Sequence, residues 1–433
     1  MAACCSSSAM GNFGVKFASC PNMELSVILA VLCFNGMADS ILGPSLDDLR
    51  CIFFVSVQTI SILVPLSSGL KTAGCMFYAP LHAPVNAYTL MIVCVIVISC
   101  LVLAIPLCSS FWLAAAASSG TGLAGGVLVT GATSKIGELS QGSAVPLHMM
   151  ALALCIGNVL GALVVAPFLN DTVRHGNTSV LQDLDMTSFE CGDSDSNIGY
   201  AYLCFASFGT ILAIFLAILR VCIDEKFEQD SKKTIMESSG KVEIIFISCL
   251  TFFIFLVGCT HIVYGSFLLL FGTRSALKVS EKIMAILTSS YYAVTTFGRF
   301  GGVLLSLVVS QVWIVTVCVV GVLATSVFLV CAAETGLVFL WAGSNVLGLF
   351  YAPMFASLIA WSVEKVSVNH IVYTIFTFAD YAGMSFNGLI FGQLMTAFGP
   401  RMLHYCSTAL GVIQITLLLC LLYLAKRTKK PKY

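Results

Sequence analysis

Apolar residues fall in long unbroken blocks along this chain, with little of the strict alternation that marks a strand. Blocks of about 20 mostly apolar residues, enough to cross a hydrocarbon core of about 30 Å, recur from one end to the other. A helix on each block predicts spans over 24–44, 60–80, 87–107, 111–134, 146–169, 198–220, 243–271, 283–309, 312–331, 336–360, 371–397 and 404–425. The second block is the most interrupted, by Pro65 and Lys71. The expected fold class is all-α and polytopic, with about twelve transmembrane helices. No basic segment precedes the first block, which therefore reads as a retained helix and not a cleaved signal.

A long charged stretch, 221–242, parts the helices into two sets of six. The expected organisation is an N-terminal tail (1–23), a first half (24–220), a linker (221–242), a second half (243–425) and a basic tail (426–433). Two six-helix halves joined by a mid-chain loop is the layout of transporters built from parallel repeats.

Composition agrees. Only 10% of the 433 residues are charged, against roughly 25% in a soluble domain. The net charge is +0, so there is no basic field for nucleic acid. Most of the 19 cysteines stand singly inside apolar runs and read as small buried hydrophobes. Cys51 and Cys191 fall in predicted outer loops, where pairing is open to them. Cys4 and Cys5 lie in the tail and are open to acylation. Twelve spans put both ends on one side. With both ends in the cytosol, 13 Lys and Arg fall inside and six outside, which is the positive-inside bias. The sequons at Asn170 and Asn177 then share one acidic outer loop, 170–197, where glycosylation takes place. A plasma-membrane location and a monomer are expected.

A charge inside the bilayer is costly unless it faces protein or water. The chain places Asp39, Lys71, Arg299 and Asp380 within predicted spans, with His148 and His261 near or within the fifth and seventh. The third, sixth, ninth and twelfth spans have no charged residue in their interiors. Lys71 has two acids to choose from, Asp39 or Asp380, and Arg299 can turn to the fifth helix or to Asp380. Asn35 and Asp39 are one turn apart and share a face. Asp39 is therefore the expected coupling residue for Na⁺ or H⁺, and Asp380 a pairing residue. Lys71, Arg299, Asp380, His148 and His261 are candidates for charge pairing or gating. Asn35, Asn158, Tyr264, Tyr292, Asn345 and Asn387 are the amides and hydroxyls that a sugar would use. Glycines at four-residue spacing, Gly122/Gly126, Gly157/Gly161, Gly298/Gly302 and Gly388/Gly392, mark close helix packing.

Other chemistry is not indicated. Gly120-Thr-Gly-Leu-Ala-Gly125 has dinucleotide-type spacing but follows no strand. No nucleophile, base and metal ligands cluster on one side of the membrane, so neither an enzyme nor a bound cofactor is expected.

Four segments carry a family likeness: FNGMADSILGPSLDDL (34–49), PLHMMALALCIGNVLGALVVAPFL (146–169), LTSSYYAVTTFGRF (287–300) and WAGSNVLGLFYAPMFASLIAW (341–361). With them the chain resembles the sodium-dependent glucose transporter-like branch of the major facilitator superfamily, distantly akin to fucose permeases. The resemblance implies that helices 3, 6, 9 and 12 face lipid and the others line a cavity or the seam between halves. It implies alternating access for a small polar solute, a hexose such as glucose above all. There are departures. Ala79-Pro80 stands where the family has Asp-Arg, and the turns HAPVNA and Ser310-Gln311 carry no acid, Lys or Arg. Val129 and Met384 stand where the branch tends to have acids. The competing expectation is a transport-incompetent receptor or scaffold descended from such a transporter.

Overall fold

A computed structural model of the chain describes residues 21–140, 143–168, 197–222, 241–366 and 368–427. Twelve long helices follow one another among these residues. They are α1 (Pro21–Phe53), α2 (Leu63–His82), α3 (Ala87–Ala104), α4 (Phe111–Leu139), α5 (Val145–Val165) and α6 (Ile198–Cys222) in the first half. The second half has α7 (Lys241–Arg274), α8 (Glu281–Leu305), α9 (Gln311–Ala332), α10 in two pieces (α10a, Leu337–Tyr351; α10b, Met354–Lys365), α11 (His370–Phe398) and α12 (Met402–Ala425). Helices are what a membrane demands, because each satisfies its own backbone donors and acceptors. Nine of the twelve are long and apolar enough to cross by composition alone. The other three are α2, α8 and α11, which hold Lys71, Arg299 and Asp380.

Several boundaries differ from expectation, and three bear on the argument. The first helix runs through Pro44 to Phe53, so Cys51 sits in its last turn and not in a loop. Cys51 is disulfide-bonded. The tenth span is broken at Ala352-Pro353, where proline removes a backbone donor and crowds the preceding turn. The seventh begins at Lys241 and takes two residues from the expected linker. Asn86 and Asn369 cap α3 and α11, their side chains accepting from the backbone N–H of Tyr88 (2.8 Å) and Val372 (3.1 Å). Gly399 ends α11 at φ 92°, which a side chain would resist.

The halves repeat one packing scheme. α1 lies on α5, α2 on α4 and α3 on α6; α7 lies on α11, α8 on α10 and α9 on α12. The closest of these contacts are backbone to backbone. A Cβ on Gly126 would meet the Lys71 carbonyl, one on Gly157 the Cys33 carbonyl, and one on Gly383 the Phe255 carbonyl. Gly157 and Gly161 therefore fit α5 to α1. Of the α5 and α8 glycines, Gly302 faces across the α5–α8 seam, where an added Cβ would stand 3.0 Å from His148 Nδ1. α2 meets α11, and α5 meets α8, across the halves. Apolar side chains such as Ile96, Ile211, Val320 and Val412 stand exposed on α3, α6, α9 and α12, the surface a bilayer would cover.

Candidate functional site

Helix direction alternates, so both chain ends share one face, called here the terminal face. Lys71, midway along α2, is 3% exposed. Its ammonium donates to both carboxylate oxygens of Asp39 on α1, at 2.8 and 2.5 Å. It also stands 5.1 Å from the ring centroid of Tyr381 on α11, in the other half. Of the two acids available to it, Lys71 therefore pairs with Asp39. The Asp39 side chain is 43% exposed. An exposed carboxylate at mid-membrane, beside the seam between halves, faces water and not lipid. One turn back, Asn35 is buried and neither its amide nitrogen nor its oxygen has a partner. Gly125 leaves the space beside Asn35 and Lys71 open: a Cβ there would come within 3.0 Å of the Asn35 oxygen. An acid–base pair, an unsatisfied amide and an aromatic face thus converge between the halves.

Contacts across the halves lie at this depth or nearer the terminal face. Thr72 bonds Ser385 at 3.0 Å, and Thr130 bonds Thr377 at 3.0 Å. The His82 and His370 rings meet edge to face at 5.3 Å, with Tyr78 stacked on His82. On the α5–α8 side, His148 Nε2 lies 3.1 Å from Gln311 Oε1 and 3.3 Å from Ser357 Oγ. Arg299 Nη1 donates to the Ala151 carbonyl at 2.8 Å. These contacts join the halves from mid-membrane to the terminal face.

The remaining sequence candidates divide. Tyr264 is buried and bonds Ser344 Oγ at 3.0 Å, and Asn387 donates to the Cys259 carbonyl; both join helices of the second half. Asn345 accepts from Ser290 at 3.2 Å. Asn158 and Tyr292 are exposed. His261 is buried, its carbonyl accepting from Tyr291 and its Nε2 without a partner. Asp380 is 8% exposed and, among the described residues, makes no hydrogen bond or ion pair. Lys71 is held by Asp39, and Arg299 of α8 bonds to the Ala151 carbonyl of α5. Asn170 and Asn177 lie outside the described residues. The threonine pairs, Ser357, Gln311, Tyr381 and the His82–His370 contact were not singled out from sequence. Hydroxyls are too common in such helices to stand out, and Gln311 had been noted only for lacking charge.

Against solved structures, the chain superposes over 95% of its length on the whole of the transporter FucP in its outward conformation, with a TM-score of 0.67 at 10% identity. The fold is that of the major facilitator superfamily. The xylose symporter XylE, bound to 6-bromo-6-deoxy-D-glucose, matches 92% of the chain and 96% of its own at a TM-score of 0.66 and 12% identity. The human organic anion transporter MFSD10 (TETRAN) matches 92% and 99%, again at 0.66 and 12%. Among curated sequences, major facilitator superfamily domain-containing protein 4A of Danio rerio is 23% identical over 88% of this chain and 84% of its own. Protein 4A of Xenopus tropicalis is 21% identical over 89% of each. No family model matches the chain. It is an integral, multi-pass membrane protein of the major facilitator fold, and its relatives are not enzymes.

Proposed function

We propose that this major facilitator protein carries a small polar solute, most favourably a hexose, by alternating access between its halves. The carrying observation is the site around Asp39. An exposed carboxylate, its buried Lys71 partner, the unsatisfied Asn35 amide one turn away and the Tyr381 ring of the other half lie close together beside the seam. Such a set offers donors, an acceptor and an apolar face without net charge, which suits polyhydroxyl compounds. It suits an organic anion less, since Lys71 is already neutralised. The fucose:proton symporter FucP and the xylose symporter XylE among its structural neighbours give the same lean. The resemblance to the sodium-dependent glucose transporter-like branch belongs to this reading, with Na⁺ or H⁺ as the coupling ion. So does the orientation with both ends in the cytosol, and so do the plasma membrane and the monomer.

The rival reading, a receptor or scaffold, drew on the missing loop charges. The threonine, histidine and arginine contacts at the terminal face supply a neutral closure in their place, which favours a working transporter. The test is uptake of labelled hexoses into vesicles holding the purified protein, with Na⁺, pH or no gradient. Saturable uptake lost in Asn35→Ala supports the reading; no uptake of any polyol under any gradient overturns it.

A further inference from the structure

The second half holds a cavity of its own, away from the seam between the halves. It lies at the face opposite the terminal face, where α7 and α9 end and α12 begins, and its volume is about 390 Å³. Pockets for small molecules run from about 300 to 1,000 Å³. Phe271, Leu329 and Val330 give it an apolar wall; Glu334, Arg401 and His404 give it a polar one.

Most of the polar groups are already matched. Arg401 Nε donates to Glu334 Oε2 at 2.8 Å, and Nη2 donates to the same oxygen. The rim therefore carries a cation and an anion that cancel. Thr335, also in the wall, donates to the Ala332 carbonyl at 2.8 Å. His404 is the exception. It is 3% exposed, and neither ring nitrogen has a partner among the described residues. Its ring packs edge to face on Phe271 at 4.4 Å and leans on Tyr264 at 5.9 Å. Leaving a buried polar group unpaired is costly. A neutral imidazole offers one donor and one acceptor, which is what a single hydroxyl uses.

The surroundings narrow the source of that hydroxyl. α9 and α12 carry exposed apolar side chains beside the cavity, Val327 and Phe328 among them, on the surface that lipid would cover. Tyr405 stands exposed at the start of α12, where aromatic side chains anchor at the polar boundary of a bilayer. The occupant is then a bilayer component with an apolar body and one uncharged polar group. A cancelled rim gives an anionic head no net attraction. Glycerides and phospholipids bring ester oxygens that the apolar wall would leave unpaired. We infer that this cavity is a sterol site, with the ring system against Phe271, Leu329 and Val330 and the hydroxyl bonded to His404. The site is independent of what the protein carries, since no residue around Asp39 takes part in it.

The test uses the full chain in phosphatidylcholine vesicles with a diazirine-bearing cholesterol, the labelled peptides being mapped by mass spectrometry. Light should label the α9–α10 turn and the start of α12 saturably, and excess plain cholesterol should suppress that label. His404→Phe keeps a ring without a hydrogen-bonding group; it should raise the concentration for half-labelling about tenfold, as loss of roughly one hydrogen bond would. His404→Gln restores a donor and an acceptor and should recover most of that loss. Val330→Trp fills the cavity from a lipid-facing helix without touching His404 and should abolish the label. Label spread evenly over α3, α6, α9 and α12, label that plain cholesterol leaves in place, or label that survives Val330→Trp overturns the site. Equal labelling of wild type and His404→Phe, or equal loss in His404→Phe and His404→Gln, overturns the bond to His404. A diazirine-bearing phosphatidylserine that takes the same peptides and is not displaced by cholesterol marks an anion site and overturns the sterol.

Discussion

Removing either member of the Asp39–Lys71 pair should destabilise the protein, but unequally. Asp39→Ala strands an ammonium that is 3% exposed. Its nearest compensation is the Tyr381 ring at 5.1 Å. Breaking a buried pair from one side costs about 3–5 kcal/mol. Lys71→Met instead strands a carboxylate that is 43% exposed and already meets water. Solvent screening brings that loss towards the surface range, about 1 kcal/mol. The double variant Asp39→Ala/Lys71→Met removes both charges and should lie closer to wild type than Asp39→Ala does. Thermal unfolding in detergent, followed by exposure of buried cysteines to a thiol-reactive dye, measures all four proteins. The reasoning is refuted if Lys71→Met is the more damaging single change, or if the two losses simply add. Additivity would mean that the groups do not see each other.

Four further outcomes are expected. Gln414 is fully buried with both amide atoms unpartnered; Gln414→Met should raise stability by about 1–2 kcal/mol, and a lowered melting temperature would show that the amide is satisfied by something else. Gly126→Ala should cost about 1–3 kcal/mol or more by driving α4 off the Lys71 carbonyl, read as a lower melting temperature; an unchanged one would contradict the close α2–α4 approach. Cys51 is disulfide-bonded, and the sequence leaves Cys191 open to it as a partner; Cys191→Ser should make Cys51 reactive to maleimide without reductant, whereas continued protection would name another partner. Asn170→Gln/Asn177→Gln should abolish the glycan shift on gels, and a wild type insensitive to endoglycosidase in a glycosylating host would count against the orientation.

Much of the fold was legible because the bilayer enforces it. An apolar block of helical length has few alternatives, and four charges within such blocks must meet protein or water. That logic brought Asp39 and Lys71 together as one of two options. It did not assign a partner to Asp380, because what a lone carboxylate faces is set by how helices far apart in the chain are packed. Nor did it reveal the closure at the terminal face. Thr130, Thr377, His82 and His370 look like ordinary helix residues until two halves far apart in the chain are brought into register. The extra turns of α1 beyond Pro44 were missed since proline usually ends a helix but need not.

The contacts named above between the halves near the terminal face join hydroxyls, imidazoles and a guanidinium to neutral groups, which has a physical consequence. The ion pairs Lys71–Asp39, Lys135–Glu138 and Arg401–Glu334 each lie within one half. Dissolved salt weakens attraction between exposed charges over a Debye length of about 8 Å at physiological ionic strength. It has little purchase on threonine hydroxyls, an imidazole–amide contact or a guanidinium lodged on a buried carbonyl. A transporter latched by loop charges becomes easier to open as ionic strength rises. On the transport reading, these contacts should hold nearly as well in concentrated as in dilute electrolyte, so the part of the seam they join answers to the membrane interior and not to the ions on either side.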